Sequence, residues 1–242
     1  KFVRLLGGAE DLVEDKSKYP LFERCGITYI GGLTLDGFCQ IIDKSKSNLI
    51  VTNTKDQAFI IYKNIDCPKK YYLSTRLTPR DRKRIIENIR ADLRQSKPIT
   101  VVSTSLVEAG VDLDFEFVYR WINGVDSILQ CAGRCNREGK RSYGKTIVFW
   151  LTDVKDARDG ETAAKIQLAK NIINKYENIN AFRPINEYFE QLFENQKDTV
   201  STLNFENYFE KTKLAAGGRL VNFYSVKFAE YADDFRYIER NT

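Results

Sequence analysis

Between Asn48 and Ser103 short β-branched runs alternate with amphipathic segments of helical period, and this rhythm constrains the fold more than any other feature. Asn48-Leu49-Ile50-Val51-Thr52-Asn53 reads as a buried strand. Thr54 then starts a helix that turns Ala58, Ile61, Tyr62 and Ile65 to one side. Tyr71-Tyr72-Leu73-Ser74 is the next strand. Thr78-Pro79 opens a second helix, with Thr as N-cap, Pro in the first position and Asp81 in the third. That helix runs to about Gln95 and buries Ile85, Ile86, Ile89 and Leu93, and Pro98 precedes a strand at Ile99 to Ser103. Strands separated by single helices pair in parallel through right-handed crossovers, which predicts a doubly wound α/β sheet with helices on both faces. Such sheets take ligands at the carboxyl ends of their strands, where Thr52, Ser74 and Thr104 fall.

The flanks read less regularly. Residues 1–25 are a mixed-charge entry segment broken by Gly7-Gly8 and Tyr19-Pro20. Ile27 to Ile30 reads as a strand before Gly31-Gly32, and Leu35 to Asp43 as a helix with Phe38, Ile41 and Ile42 inward. Phe115 to Ile122 is a further apolar run and Thr146 to Leu151 a last buried strand. Beyond it the rhythm changes: Thr162 to Tyr176, Asn186 to Phe193 and Val200 to Phe209 read as helices, with a short strand at Val221 to Tyr224. The expected division is a linker over 1–25, an α/β domain over 26–154 and a helical appendage over 155–242.

Composition removes several functions. Histidine is absent, which excludes a Ser-His or Cys-His catalytic pair and a histidine-based metal site in this chain. Five cysteines without a CxxC pair argue against a disulfide framework and suit a reducing cytoplasm. Cys131 and Cys135, four residues apart, read as packing residues on one helix. No apolar run reaches transmembrane length, so no membrane partner is expected. The chain contains no Met, so it is read as a piece of a longer protein. A net charge of +5 says little, but Arg76, Arg80, Arg82, Lys83, Arg84, Arg90, Arg94 and Lys97 crowd one segment while Glu187 to Glu210 is acidic. A basic core suits contact with nucleic-acid phosphates.

The candidate chemistry lies between Val101 and Lys140. A strand ends in a polar loop carrying Thr104, Glu108, Gly110 and Asp112. After the next apolar run comes a segment with Gln130, Gly133, Arg134 and Arg137. If Asp126 caps a helix there, Gln130, Arg134 and Arg137 fall at i, i+4 and i+7 on one face. An amide and two guanidinium forks on one stripe would suit a polyphosphate. Glu108 reads as a solvated loop acid. Gly139 to Thr146 fits the expression G-x4-G-K-[ST], but a P-loop needs a strand before it and a helix after it. Here the order is reversed, and the stretch reads as a basic turn.

S-T-S-L-V-E-A-G-V-D-L-D-F followed by Q-C-A-G-R-C-N-R resembles motifs V and VI of superfamily 2 helicases, most closely those of the helicase–nuclease of type I CRISPR systems. The resemblance covers roughly Asn48 to Leu151. It implies a second RecA-like domain, half of an ATP-dependent motor on single-stranded DNA, acting with an RNA-guided surveillance complex. By resemblance, Arg137 is the arginine finger on ATP, Arg134 a second phosphate contact, and Gln130 polarises the site. Asp112 meets the ribose, with Gly110 and Gly133 admitting the nucleotide. Thr104, Thr52, Asn53, Ser74 and Arg80 are the expected nucleic-acid contacts. ATP and Mg²⁺ would be held mainly by a first RecA-like domain outside this chain, and nuclease activity by a His/Asp domain also outside it. Another superfamily 2 DNA or RNA helicase domain, and a half-motor that binds without hydrolysing, remain as alternative readings.

Overall fold

In the computed structural model, the described residues are 24–108, 111–156, 160–200, 209–216 and 219–226. The chain divides into two compact units, Lys1–Tyr188 and Phe189–Thr242. The first contains a six-stranded sheet in the order β1-β6-β5-β2-β4-β3, with every neighbouring pair parallel. Its strands are β1 (Cys25–Leu33), β2 (Asn48–Thr52), β3 (Lys70–Leu73), β4 (Thr100–Thr104), β5 (Phe117–Trp121) and β6 (Gly144–Leu151). Between them run α1 (Leu35–Ile41), α2 (Lys55–Asn64), α3 (Pro79–Arg94), a 3₁₀ turn (Ser105–Val107) and α4 (Val125–Ala132). The expected RecA-like α/β sheet is therefore present.

Local chemistry explains the element starts. The Thr54 hydroxyl accepts from the Gln57 amide while the Gln57 side chain reaches back to the cap, a complete capping box for α2. Thr78 caps α3 through the Asp81 amide, with Pro79 inside the first turn. Alternation in the strands then builds two core layers. Leu49, Val51, Val101 and Val118 face Ile89, Cys131 and Cys135. On the other side Phe38 stacks on Phe149 at 4.0 Å between centroids and meets Tyr119 edge-on at 5.7 Å. Residues on both faces are fully buried, which is why these strands read as continuous apolar runs.

Three sequence expectations need correction. β1 does not stop before Gly31-Gly32 but runs on to Leu33. Gly31 takes a φ of +78°, and the pairing with β6 shifts between Tyr29 and Gly32. The glycines make a bulge within the strand, not its end. Downstream, α5 (Gly160–Lys175) and α6 (Phe182–Val200) are helical as expected. Phe209, expected to close a further helix, instead begins β7 (Phe209–Ala216), which pairs antiparallel with β8 (Arg219–Val226) in a separate hairpin. The C-terminal region is thus not wholly helical, and β8 is the Val221–Tyr224 strand extended at both ends. Of the entry segment, residues 1–23 lie outside the described residues, as does Gly110.

The third correction concerns α4. It ends at Ala132 with Gly133 as C-cap, and it starts after Gly124 without a side-chain cap. Asp126 sits inside the first turn and accepts from the Tyr188 hydroxyl at 3.0 Å. Arg134, Cys135 and Arg137 are consequently beyond the helix, and the predicted i, i+4, i+7 stripe does not exist. Cys131 and Cys135 are nevertheless both buried packing residues.

Candidate nucleotide and nucleic-acid site

All six strands run the same way, so the connections sort themselves onto two edges of the sheet. The carboxyl edge gathers Thr52, Asn53, Ser74 and Thr104. The link from β4 to β5 must travel back to the amino edge before a parallel strand can begin, and it carries Val111 to Glu116 there. Likewise α4 runs antiparallel to β5 and delivers Arg134 to Arg141 to the amino edge. Asp112 and Arg137 therefore meet away from the carboxyl edge that holds Thr52, Ser74 and Thr104.

At that second edge the Arg137 Nε lies 2.6 Å from Asp112 Oδ1, with side chains 45% and 75% exposed. The Arg137 backbone N–H donates to Asp114 Oδ1 at 2.7 Å, and Arg24 Nη1 donates to the Arg137 carbonyl. Asp114 also accepts from Arg141 at 3.0 Å. Both carboxylates are thus engaged by arginines. An exposed guanidinium held through its backbone does fit a polyphosphate that approaches from solution. Beside it, Arg24, Cys25, Leu129, Ala132, Gly133, Cys135, Arg137 and Asn180 line a depression of about 550 Å³. Gln130 and Gly133 are exposed next to this surface.

Arg134 is different from its neighbour. It is 8% exposed, and donates from Nε to the Val107 carbonyl at 3.1 Å and from Nη2 to the Glu108 carbonyl at 2.6 Å. Its own carbonyl accepts from Phe115 N–H at 3.0 Å. Burial, followed by the nearby Arg137 charge, lowers its pKa from the ordinary arginine value. Two of its donors are spent inside the protein, locking the two motif segments together.

The carboxyl edge is equally ordered. Thr52 is fully buried and its hydroxyl donates to the Thr54 carbonyl at 2.9 Å. Ser74, also buried, accepts from Arg76 N–H at 3.1 Å. The Asn53 amide donates to the Ile122 carbonyl at 2.9 Å, and its oxygen accepts from Arg120 at 2.8 Å and Asn123 at 2.9 Å. Thr104 alone of the four keeps a hydroxyl without a partner among the described residues. Arg80 is exposed in the first turn of α3.

Arg120 is the residue that sequence reasoning missed. It is 1% exposed, donates twice to Ser127 Oγ at 3.2 and 2.7 Å, and lies 3.2 Å from Glu108 Oε1. Glu108, 10% exposed, also accepts from Ser127 at 2.9 Å. It is not the solvated loop acid expected from sequence. Its signal was available: an arginine inside the apolar run Phe117 to Trp121 must find an acidic partner when buried. Gly144-Lys145-Thr146 open β6 rather than a helix, so the P-loop-like stretch presents no helix N-terminus to a phosphate.

The parallel six-stranded sheet is a RecA-like α/β fold, in which the two segments that resemble motifs V and VI are locked together. Comparison with known proteins then shows what it is similar to. Residues 44–140 match the family of the CRISPR-associated nuclease/helicase Cas3, C-terminal region. The chain is 40% identical over 91 residues to the CRISPR-associated nuclease/helicase Cas3 of Haloferax volcanii, covering 37% of this chain and 10% of that protein. It is 28% identical over 200 residues to that of Methanothermobacter thermautotrophicus, covering 74% and 24%. The crystal structure of T. fusca Cas3 with AMPPNP matches with a TM-score of 0.57 at 14% identity, over 76% of this chain and 25% of that one. A CRISPR RNA-guided surveillance complex in its pre-nicking state matches with a TM-score of 0.55 at 15% identity, over 76% and 27%. Over residues 44–140 the chain is thus similar to the C-terminal region of that nuclease/helicase family, and it spans about a quarter or less of the relatives it matches. No helix among the described residues is long and apolar enough to cross a membrane.

Proposed function

We propose that this chain supplies the second half of an ATP-dependent motor that moves along single-stranded DNA during CRISPR interference in the cytoplasm. The observation that carries the reading is the Arg134 bridge, which fastens the loop after β4 to the segment bearing Arg137. A first RecA-like domain would hold ATP by its phosphates and supply the Mg²⁺ ligands. The Arg137 guanidinium would enter that cleft to offset charge on the transferring phosphoryl group, and Asp112 would exchange its ion pair for the ribose. Gln130, Gly110 and Gly133 would complete the nucleotide surface. Arg134 would help shape that surface; with two donors already committed, its phosphate contact is reduced to what remains of the fork.

On the carboxyl edge, Thr104 and Arg80 are the groups free to meet a DNA backbone. Thr52, Asn53 and Ser74 hold the edge in shape, so any contact from them would come through their backbone. Such contacts read phosphate rather than base, giving sequence-tolerant, salt-sensitive binding. The remaining partners in this reading are the His/Asp nuclease domain of the same protein and the RNA-guided surveillance complex. The likeness to a chain of a CRISPR RNA-guided surveillance complex supports the latter. The test is ATP turnover with and without single-stranded DNA, measured on the full-length protein and on this chain alone. DNA-stimulated turnover by the former and none by the latter is expected. Turnover by this chain alone, or no stimulation in the full-length protein, would overturn the proposal.

A further inference from the structure

Three loops leave the carboxyl edge next to one another, and a single buried cation joins them. Arg120 donates to Asn53 Oδ1 at 2.8 Å on the loop after β2. It pairs with Glu108 at 3.2 Å on the loop after β4. It also donates to Ser127 Oγ at 2.7 Å in the first turn of α4, and to the Trp121 carbonyl at 2.9 Å on its own strand. Asn123 closes the ring by donating to Asn53 at 2.9 Å. Glu108 accepts at its carboxylate from Ser127 at 2.9 Å and from the Cys131 thiol at 3.4 Å.

Glu108 is therefore held twice. Arg120 grips its side chain, and Arg134 grips its main-chain carbonyl at 2.6 Å. From Arg134 the chain leads within three residues to Arg137 and its Asp112 partner. The result is an unbroken series of polar contacts, Asn53 to Arg120 to Glu108 to Arg134, running from the carboxyl edge to the amino edge. A buried ion pair of this kind is a poor source of stability, because desolvating both charges offsets most of their attraction. What it does impose is geometry: with Arg120 1% exposed, no water can replace a partner that moves.

We propose that Arg120 and Glu108 form a positioning pair that couples the nucleic-acid edge to the nucleotide edge. This rests on the motor reading above and adds the route by which its two ligands sense each other. Displacing the Asn53 loop by DNA moves one anchor of Arg120. Glu108 then follows, and the Arg134–Arg137 segment changes its presentation to the nucleotide. Neither Arg120 nor Glu108 touches DNA or ATP in this account.

The experiment uses the full-length protein with Glu108→Gln, which keeps the shape and removes the charge, and with Arg120→Lys, which keeps the charge and removes the fork. Four quantities are read: ATP turnover without DNA, ATP turnover with saturating single-stranded DNA, DNA affinity without nucleotide, and thermal midpoint. Coupling between ligand sites is typically worth about 5- to 150-fold, so the ratio of stimulated to unstimulated turnover should fall at least about fivefold in both variants. Unstimulated turnover and nucleotide-free DNA affinity should stay within about twofold. An unchanged ratio would overturn the inference. So would a parallel fall of both rates with the thermal midpoint, since that marks a merely structural pair. Should Arg120→Lys fail to fold, Glu108→Gln alone decides by the same ratio. Absence of DNA stimulation in the unsubstituted protein would instead sink the motor reading, and the coupling with it.

Discussion

Arg137→Ala separates a catalytic arginine from a structural one. Among the described residues the side chain makes one ion pair, to Asp112, with the two groups 45% and 75% exposed. Such pairs contribute about 0–1 kcal/mol. The contacts that fix this segment, Arg137 N–H to Asp114 and Arg24 to the Arg137 carbonyl, use backbone atoms that alanine keeps. Folding stability should therefore drop by less than about 1 kcal/mol. An arginine finger, by contrast, contributes about 10³ to 10⁵ in rate, which is about 4–7 kcal/mol of barrier. Arg134→Ala should behave in the opposite way. It removes two charged hydrogen bonds, one to the buried Val107 carbonyl and one to the part-buried Glu108 carbonyl, each worth about 1.5–3 kcal/mol. The assay pairs guanidinium chloride unfolding with DNA-stimulated ATP turnover in the full-length protein. Arg137→Ala retaining turnover within tenfold, or losing turnover only in step with stability, would refute the assignment.

Three further outcomes are expected. Thr104→Val should weaken single-stranded DNA binding by about 2- to 12-fold, the value of one hydrogen bond, while leaving stability nearly unchanged because the hydroxyl has no partner among the described residues; fluorescence anisotropy measures the first and thermal melting the second. Arg80→Ala should lower the slope of log affinity against log salt by about 0.7 if its guanidinium neutralises one phosphate, read from a salt titration. Burial opposes ionisation of Asp92, but hydrogen bonds from Lys69 and Tyr71 outweigh it and lower its pKa. A carboxylate with a depressed folded pKa stabilises the fold above its unfolded value, about 3.9, and loses that contribution as pH falls through the folded one. Asp92→Asn should accordingly flatten the fall in stability at acid pH, followed by circular dichroism.

Where local chemistry was self-sufficient, the sequence spoke clearly. Thr54 with Gln57, and Thr78 with Pro79 and Asp81, carry their helix starts in a few residues, and both caps are found in place. Continuous apolar runs in Leu49 to Val51 and Val101 to Val102 announced strands covered on both faces. The errors arose where tertiary partners decide. Asp126 has the chemistry of a cap, but the Tyr188 hydroxyl occupies it and Gly124 takes the capping position. The arginine spacing suggested a stripe, yet Gly133 ends the helix one residue before Arg134. Parallel topology then carries Arg137 to the edge opposite Thr104, a consequence that no residue spacing records. Arg120 looked like one charge in a strand until Glu108 and Asn53, 12 and 67 positions away along the numbering, proved to be its partners.

The pairing of β1 with β6 has a consequence for synthesis. Cys25 lies opposite Gly144, and Leu33 opposite Leu151, while β1 has no other neighbour among the described strands. A chain emerging from the ribosome can zip β2, β3, β4 and β5 together while β1 is still waiting. Only when Leu151 has cleared the exit tunnel does that early strand gain a place to dock, so closure of the sheet is a late event and the slow step of assembly should lie there.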